Sequence, residues 1–234
     1  TKSYPKAEGF VRAISRKIKD QLNECEGYTF KGLGIGAPNG NYFRGTIEQA
    51  PNLGWKGVIP FVDQFKKFFD ERVVLTNDAN AAAIGEMMFG GARGMKDFIV
   101  ITLGTGLGSG LVVNGDLVYG HDGFAGELGH TFVYMDSGRR CGCGRRGCLE
   151  TYASAQGIKR TVFELLAERT RSSDLRKLSF EEMTSEHIFH AAQDGDRIAK
   201  EAFDLTGRYL GIKLADAVVH TSPEAIFLYG GLAK

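Results

Sequence analysis

The first strong pattern in the chain is a helical one. Between Gly9 and Glu24, Phe10, Val11, Ile14, Ile18 and Leu22 share one face, while Arg12, Arg16, Lys17 and Lys19 fall elsewhere. This period predicts an amphipathic helix. Leu33 and Ile35 then mark a short strand within Phe30 to Pro38, which runs into a Gly-Ala-Pro-Asn-Gly turn at residues 36–40. Residues 41–56 read as loop, Val58 to Phe69 as a second helix, and Val73 to Thr76 as a buried strand. Asn77-Asp78-Ala79-Asn80 is expected to cap a third helix over Ala81 to Met88, because Asp and Asn satisfy the free amides of a first turn. Phe98 to Leu103 and Gly110 to Val113 predict two strands separated by glycines, and Asn114-Gly115 is a hairpin turn signal.

From Ser154 onward the period becomes helical again. Ile158, Val162, Leu165 and Leu166 share a face, and Glu186 to Gln193, Ile198 to Asp204 and Tyr209 to His220 predict three further helices. Ala225 to Tyr229 reads as a buried strand followed by Gly230-Gly231. Strands alternating with helices predict an α/β fold. Opening on a helix and stopping just past a strand is the pattern expected of a chain cut at both ends.

Composition narrows the function classes. In 234 residues, Lys+Arg is 29 and Asp+Glu 28, a net charge of +1 that argues against a nucleic-acid-coating or polybasic membrane-binding protein. No apolar run approaches the ~20 residues of a membrane-spanning helix. The abnormal number is 32 glycines with only 5 prolines and no G-X-Y period, which excludes collagen-like and low-complexity classes. Thirteen glycines lie between Gly104 and Gly147 but four between Tyr152 and Tyr229, so the middle is read as functional and the later part as scaffold.

Three groups of residues carry candidate chemistry. Cys141, Cys143 and Cys148, with His130 eleven residues upstream, form a Cys₃His set suited to tetrahedral, structural Zn2+. A disulfide is the competing reading, disfavoured by the poor geometry of a C-x-C pair. Cys25 stands alone and is expected to be a small core residue, in keeping with a reducing compartment. Gly104-Thr105-Gly106-Leu107-Gly108-Ser109-Gly110 offers successive main-chain amides to an anion such as phosphate, although a ligand-free glycine hairpin fits the same residues. Asp78, at the carboxyl end of a strand, could accept a proton from a substrate hydroxyl or could be a simple N-cap. Glu127 and Glu150 flank the cysteine cluster; if it holds a metal, their loops are held near a common point, and otherwise each is a solvated surface charge.

Together these segments resemble the ROK family of repressors and sugar kinases. The likeness is carried by Gly126-Glu127-Leu128-Gly129-His130, by Gly138-x-x-Cys141-x-Cys143-Gly144-x-x-Gly147-Cys148-x-Glu150, by Thr76 to Ala83 and by the Gly104 to Gly110 loop, in that family's order. It extends over nearly the whole chain. The resemblance implies a two-lobed, actin-like ATPase (ribonuclease H-like) fold. Residues 1–77 would form the smaller lobe, and residues 78–234 the larger one with the zinc-binding loop. It implies Asp78 as catalytic base, and Asn77, Glu127, His130 and Glu150 as hydrogen-bonding partners of sugar hydroxyls. Asn52, within Ala50 to Trp55, resembles a sugar contact of the glucokinase branch. His130, Cys141, Cys143 and Cys148 match the zinc ligands. Gly104, Thr105, Gly106, Gly108 and Gly110 match a phosphate loop, and Gly230-Gly231 a turn beside adenosine. The family's first phosphate loop, Asp-x-Gly-Gly-Thr, and its final helix do not occur in these residues, as expected of a fragment.

The implied activity is ATP- and Mg2+-dependent phosphorylation of a hexose, glucose first, feeding glycolysis in the cytoplasm. The implied partners are sugar and ATP in a homo-oligomer, with neither nucleic acid nor membrane. An N-acetylglucosamine or N-acetylmannosamine kinase and a sugar-sensing repressor are the alternatives within the family; a catalytically silent, metal-stapled module leaves Asn77-Asp78 and the glycine loop unexplained.

Overall fold

The opening apolar stripe folds as α1 (Ala7–Glu24), burying Val11 against the core. In this computed structural model, residues 1, 3–50, 52–135 and 137–233 are described. The helix stops at Glu24 and Cys25 is extended, so Cys25 does not continue the stripe; it is exposed, contrary to the expected core position. Next come β1 (Gly32–Gly36), β2 (Gly40–Asn41) and β3 (Thr46–Glu48). The expected loop over 41–56 thus contains strand segments, which continue antiparallel into β4 (Val58–Ile59). Pro60 explains why Val58 to Phe69 is not one helix. It lacks an amide and disfavours helical backbone at Ile59, so the helix is only α2 (Phe61–Phe65). The buried strand β5 (Arg72–Thr76) pairs in parallel with β1.

Asn77 then caps α3 (Asp78–Phe89), which leads to β6 (Phe98–Leu103), β7 (Leu107–Val113) and β8 (Asp116–Leu117). The remaining elements are α4 (Ala155–Glu168), α5 (Ser185–Gln193), α6 (Arg197–Thr221) and β9 (Ala225–Tyr229). Helix α6 runs unbroken where two helices were expected; Gly207 lies inside it with open space around it, and one glycine costs a packed helix only about 1 kcal/mol. The sheet order is β8-β7-β6-β9, with β9 parallel to β6 and the other pairs antiparallel.

Period-two alternation in β6 decides how this sheet is sandwiched. Phe98 and Val100 join Ala83 of α3 on one face, whereas Ile99, Ile101 and Leu103 join Leu210 and Ala217 of α6 on the other. A further cluster ties α4, α5 and α6 through Ile158, Val162, Ile188 and Ile198. A separate apolar cluster draws wholly on residues 7–75, with Trp55, Phe61, Phe65 and Leu75 among its buried members. Beside this cluster, the Asn41 side-chain amide donates to Asp122 O at 2.6 Å, and the Tyr42 and Tyr119 rings stack 4.4 Å apart. No helix of the described residues is long and apolar enough to cross a membrane.

Candidate active site

A cleft of about 970 Å³ opens at the carboxyl ends of β5 and β6. Its floor is set by the start of α3. Asn77 Oδ1 accepts the Asn80 N–H at 2.6 Å, which caps the helix, and its Nδ2 donates to Glu127 Oε1 at 3.2 Å. The cap is therefore Asn77. Asp78 occupies the first helical position instead, its Oδ1 accepting the Ala79 N–H at 2.9 Å, where the helix dipole favours a carboxylate. The same Oδ1 would stand 3.9 Å from a Cβ placed on Gly108, so Asp78 borders the glycine-rich hairpin.

The hairpin itself is shorter than the sequence suggests. Only residues 104–106 turn, with the Gly104 N–H donating to Gly106 O at 3.0 Å, and β7 already begins at Leu107. Gly104, Thr105, Gly106 and Gly108 line the cleft. Gly110 does not: it lies inside β7, where a Cβ would stand 2.8 Å from both Ala79 O and Ala83 Cβ. Its lack of a side chain lets α3 lie on the sheet. Gly230 and Gly231 also lie outside the cleft lining. Gly230 (φ +110) follows β9 and would drive a Cβ into the Leu103 backbone.

Asn52, Glu127, His130 and Glu150 line the cleft wall together with Asn77 and Asp78. Glu127 precedes and His130 ends a single 3-10 turn (Leu128–His130), and Glu150 sits on another (Leu149–Thr151). Burial pushes the Glu127 carboxyl above its ordinary value, against the opposing pull of His130 and Asn77 and with help from the charges of Asp78 and Glu150. These acids are therefore not independent surface charges. Ser109, which the sequence reading passed over as one more small residue, anchors the Glu127 turn. Its hydroxyl donates to Gly126 O and accepts the Leu128 N–H at 3.0 Å. The signal was available in the period of β7, which puts Ser109 on the same face as Leu107 and Leu111.

His130, Cys141, Cys143 and Cys148 bring their ligand atoms within 4.8 Å of one another. Cys141 Sγ lies 3.7 Å from His130 Nδ1, and Cys143 Sγ lies 3.7 Å from Cys148 Sγ. A tetrahedral zinc with ordinary bond lengths separates sulfur from nitrogen by about 3.6 Å and sulfur from sulfur by about 3.8 Å. The set fits that ion, and the four thiols, Cys25 included, are unpaired. Burial works against the Cys143 thiolate, but hydrogen bonds from Arg145 and the neighbouring thiols outweigh it and hold the thiol near 6. Burial pushes Cys141 up to about 12, a shift that a bound cation would oppose. Close glycine packing completes the loop: a Cβ on Gly147 (φ +74) would collide with Tyr134 O.

Arg139 braces this loop to the rest of the molecule, a role no sequence signal indicated. Its Nη1 donates to Thr151 O (2.7 Å) and Gly157 O (3.0 Å), its Nη2 to Thr161 Oγ1 (2.9 Å), and its Nε to Glu164 Oε1 (2.9 Å). The guanidinium also lies over the Tyr152 ring, 4.4 Å from its centre. The sequence also did not single out Lys56, Arg140 and Arg160, three cations that line the same cleft.

Comparison with known proteins gives this geometry its context. The ROK family model matches residues 3–234. A glucokinase from Halalkalibacterium halodurans is 39% identical over 207 residues, covering 87% of this chain and 62% of that protein, so the chain spans under two thirds of that relative. The structure of a ROK family glucokinase from Streptomyces griseus, in complex with glucose and AMPPNP, superposes with a TM-score of 0.80 at 36% identity, covering 98% of this chain and 74% of the other. A ROK family transcriptional regulator homologous to the E. coli MLC protein superposes with a TM-score of 0.82 at 29% identity, covering 97% and 56%.

Proposed function

Because the chain belongs to the ROK family and shares the actin-like ATPase fold of its sugar kinases, we propose that it phosphorylates a hexose with ATP, converting glucose to glucose 6-phosphate. The observation that carries this reading is the position of Asp78. Its carboxylate borders the glycine-rich hairpin at Gly108 and lines one cleft with Asn77, Glu127, His130, Glu150 and the turn at residues 104–106. A sugar hydroxyl there gives its proton to Asp78 as its oxygen attacks the γ-phosphorus. The bond from that phosphorus to the β–γ bridging oxygen breaks, and ADP leaves. Loop amides and Thr105 receive phosphate oxygens. Mg2+ brought with the nucleotide would neutralise phosphate charge. Zinc bound by His130, Cys141, Cys143 and Cys148 would have no open position and serve only to hold Glu127 and Glu150 in place.

The same reading divides the chain into lobes at 77/78, supported by the separate apolar cluster over residues 7–75. It puts the enzyme in the cytoplasm, where ATP is present and thiols stay reduced, as a homo-oligomer. Glucose is favoured by the named activity of the S. griseus and H. halodurans relatives. The likeness to the transcriptional regulator supports a second reading, in which the region senses a sugar without phosphorylating it. An ADP-release assay on the full-length protein with glucose, N-acetylglucosamine, N-acetylmannosamine and xylose separates the two. Glucose is expected to give the highest kcat/KM, and Asp78→Asn to lower kcat by about 10²–10⁴-fold while glucose still binds. No turnover of any sugar, or turnover untouched by Asp78→Asn, would overturn the kinase reading.

A further inference from the structure

Glu150 is bound to something other than a sugar subsite. Its Oε2 accepts the Leu107 N–H at 3.1 Å, where the glycine hairpin enters β7. Its Oε1 faces Cys141 Sγ at 3.6 Å. The seat exists because residue 106 is glycine, since a Cβ there would collide with the same carboxylate oxygen. Leu107 N–H is the first amide of β7, directly after the turn whose amides are the natural donors for phosphate oxygens. A carboxylate held on that amide removes one donor and sets a negative charge where a phosphate must come.

The backbone under Glu150 is not free to carry it away. Thr151 O is held by Arg139, and Thr151 N–H donates to Cys148 O at 3.0 Å. What can change is the side-chain rotamer. A sugar hydroxyl donating to the carboxylate competes with Leu107 for it, and so favours the rotamer that leaves the amide free.

We propose that Glu150 gates the glycine loop: with no sugar present its carboxylate covers the Leu107 amide and keeps nucleotide phosphate out, and sugar binding draws it off. The proposal rests on the kinase reading above. Sugar and nucleotide then strengthen each other's binding reciprocally, by a factor in the usual range of about 5–150. Water is also denied an activated phosphoryl group when no sugar is present.

The test is the affinity of AMPPNP, by calorimetry, for full-length protein with and without glucose, in wild type and in Glu150→Ala. Glucose is expected to tighten AMPPNP binding to wild type by at least about 5-fold. Sugar-free Glu150→Ala should already bind it within a few-fold of the glucose-saturated wild type. Zinc content and far-UV circular dichroism show whether the variant folds. In wild type the Leu107 amide proton should shift upfield as glucose is added. An unmoved Leu107 resonance, or sugar-free Glu150→Ala binding AMPPNP no more tightly than sugar-free wild type, overturns the gate alone. Failure of wild type to bind AMPPNP with or without glucose overturns the kinase reading and the gate with it.

Discussion

Two glycine-rich stretches shape the cleft, and they use glycine for opposite reasons. In the hairpin and β7, glycines answer to close packing from outside: Gly108 and Gly110 let α3 settle on the sheet, and Gly106 lets Glu150 approach. In the 138–147 segment, glycines let the chain fold back on itself, with Gly138 against Gly147 and Gly147 against Tyr134. The first stretch sits on a hydrogen-bonded sheet with an apolar core on each face. The second has few buried apolar side chains of its own and depends on four metal-ligand groups and on Arg139. One is held by what surrounds it; the other, on the zinc reading, would be held by an ion.

That contrast predicts a large effect from zinc removal. Chelation or Cys148→Ser should weaken glucose binding by at least ~100-fold by loosening the turns that carry Glu127 and Glu150. Amide-exchange protection of β6 and β7 should survive. Glucose affinity unchanged in zinc-free protein would mean that the second stretch stands by itself. Gly110→Ala should do the reverse, leaving zinc content intact while costing about 1–3 kcal/mol, or roughly 2–4 °C in Tm per kcal/mol, because α3 must lift from β7. A Tm equal to wild type would show that the helix has room to spare.

Smaller effects sharpen the picture within the cleft. Burial raises the folded pKa of Glu127, so its ionised form costs stability. The cost is absent below the ordinary value of 4.5 and grows as pH rises through the folded value. Glu127→Gln, which can still accept from Asn77, should therefore melt higher than wild type at pH 7 and alongside it at pH 4, while binding glucose more weakly. Equal melting at both pH values would remove burial as the cause. The smallest effect belongs to Gly104, where a Cβ meets nothing within 4 Å. Gly104→Ala should stay within about 0.5 kcal/mol of wild type and raise the KM for ATP. A larger loss of stability would place Gly104 with the packing glycines.

Much of this was legible in the residues. The helical stripe of α1, the alternation in β6 and the cap before α3 are local patterns, and they placed those elements within a few residues. Pro60 is a visible breaker that outweighs the apolar run from Val58 to Phe69, and α6 shows that packing overrides two interior glycines, Gly207 and Gly211. The Cys₃His set was legible because ligand chemistry and spacing are themselves sequence properties. Ser109 was half-legible through the period of β7. Arg139 was not, because an arginine between two turns says nothing about the four residues whose oxygens converge on it.

The sequence alone determined the alternation of strands and helices, the four ligand groups and the acidic residues brought to the cleft, since each depends on residue type and short spacing. Tertiary structure decided what each of them touches. It made Asn77 the cap and set Asp78 in the first helical turn with its Oδ1 on the Ala79 N–H, turned Gly110 and Gly230 into packing residues, and laid Glu150 on the Leu107 amide across 43 positions of chain. Those outcomes depend on how closely two backbones approach, and that distance is set by the packed layers around them rather than by any one segment.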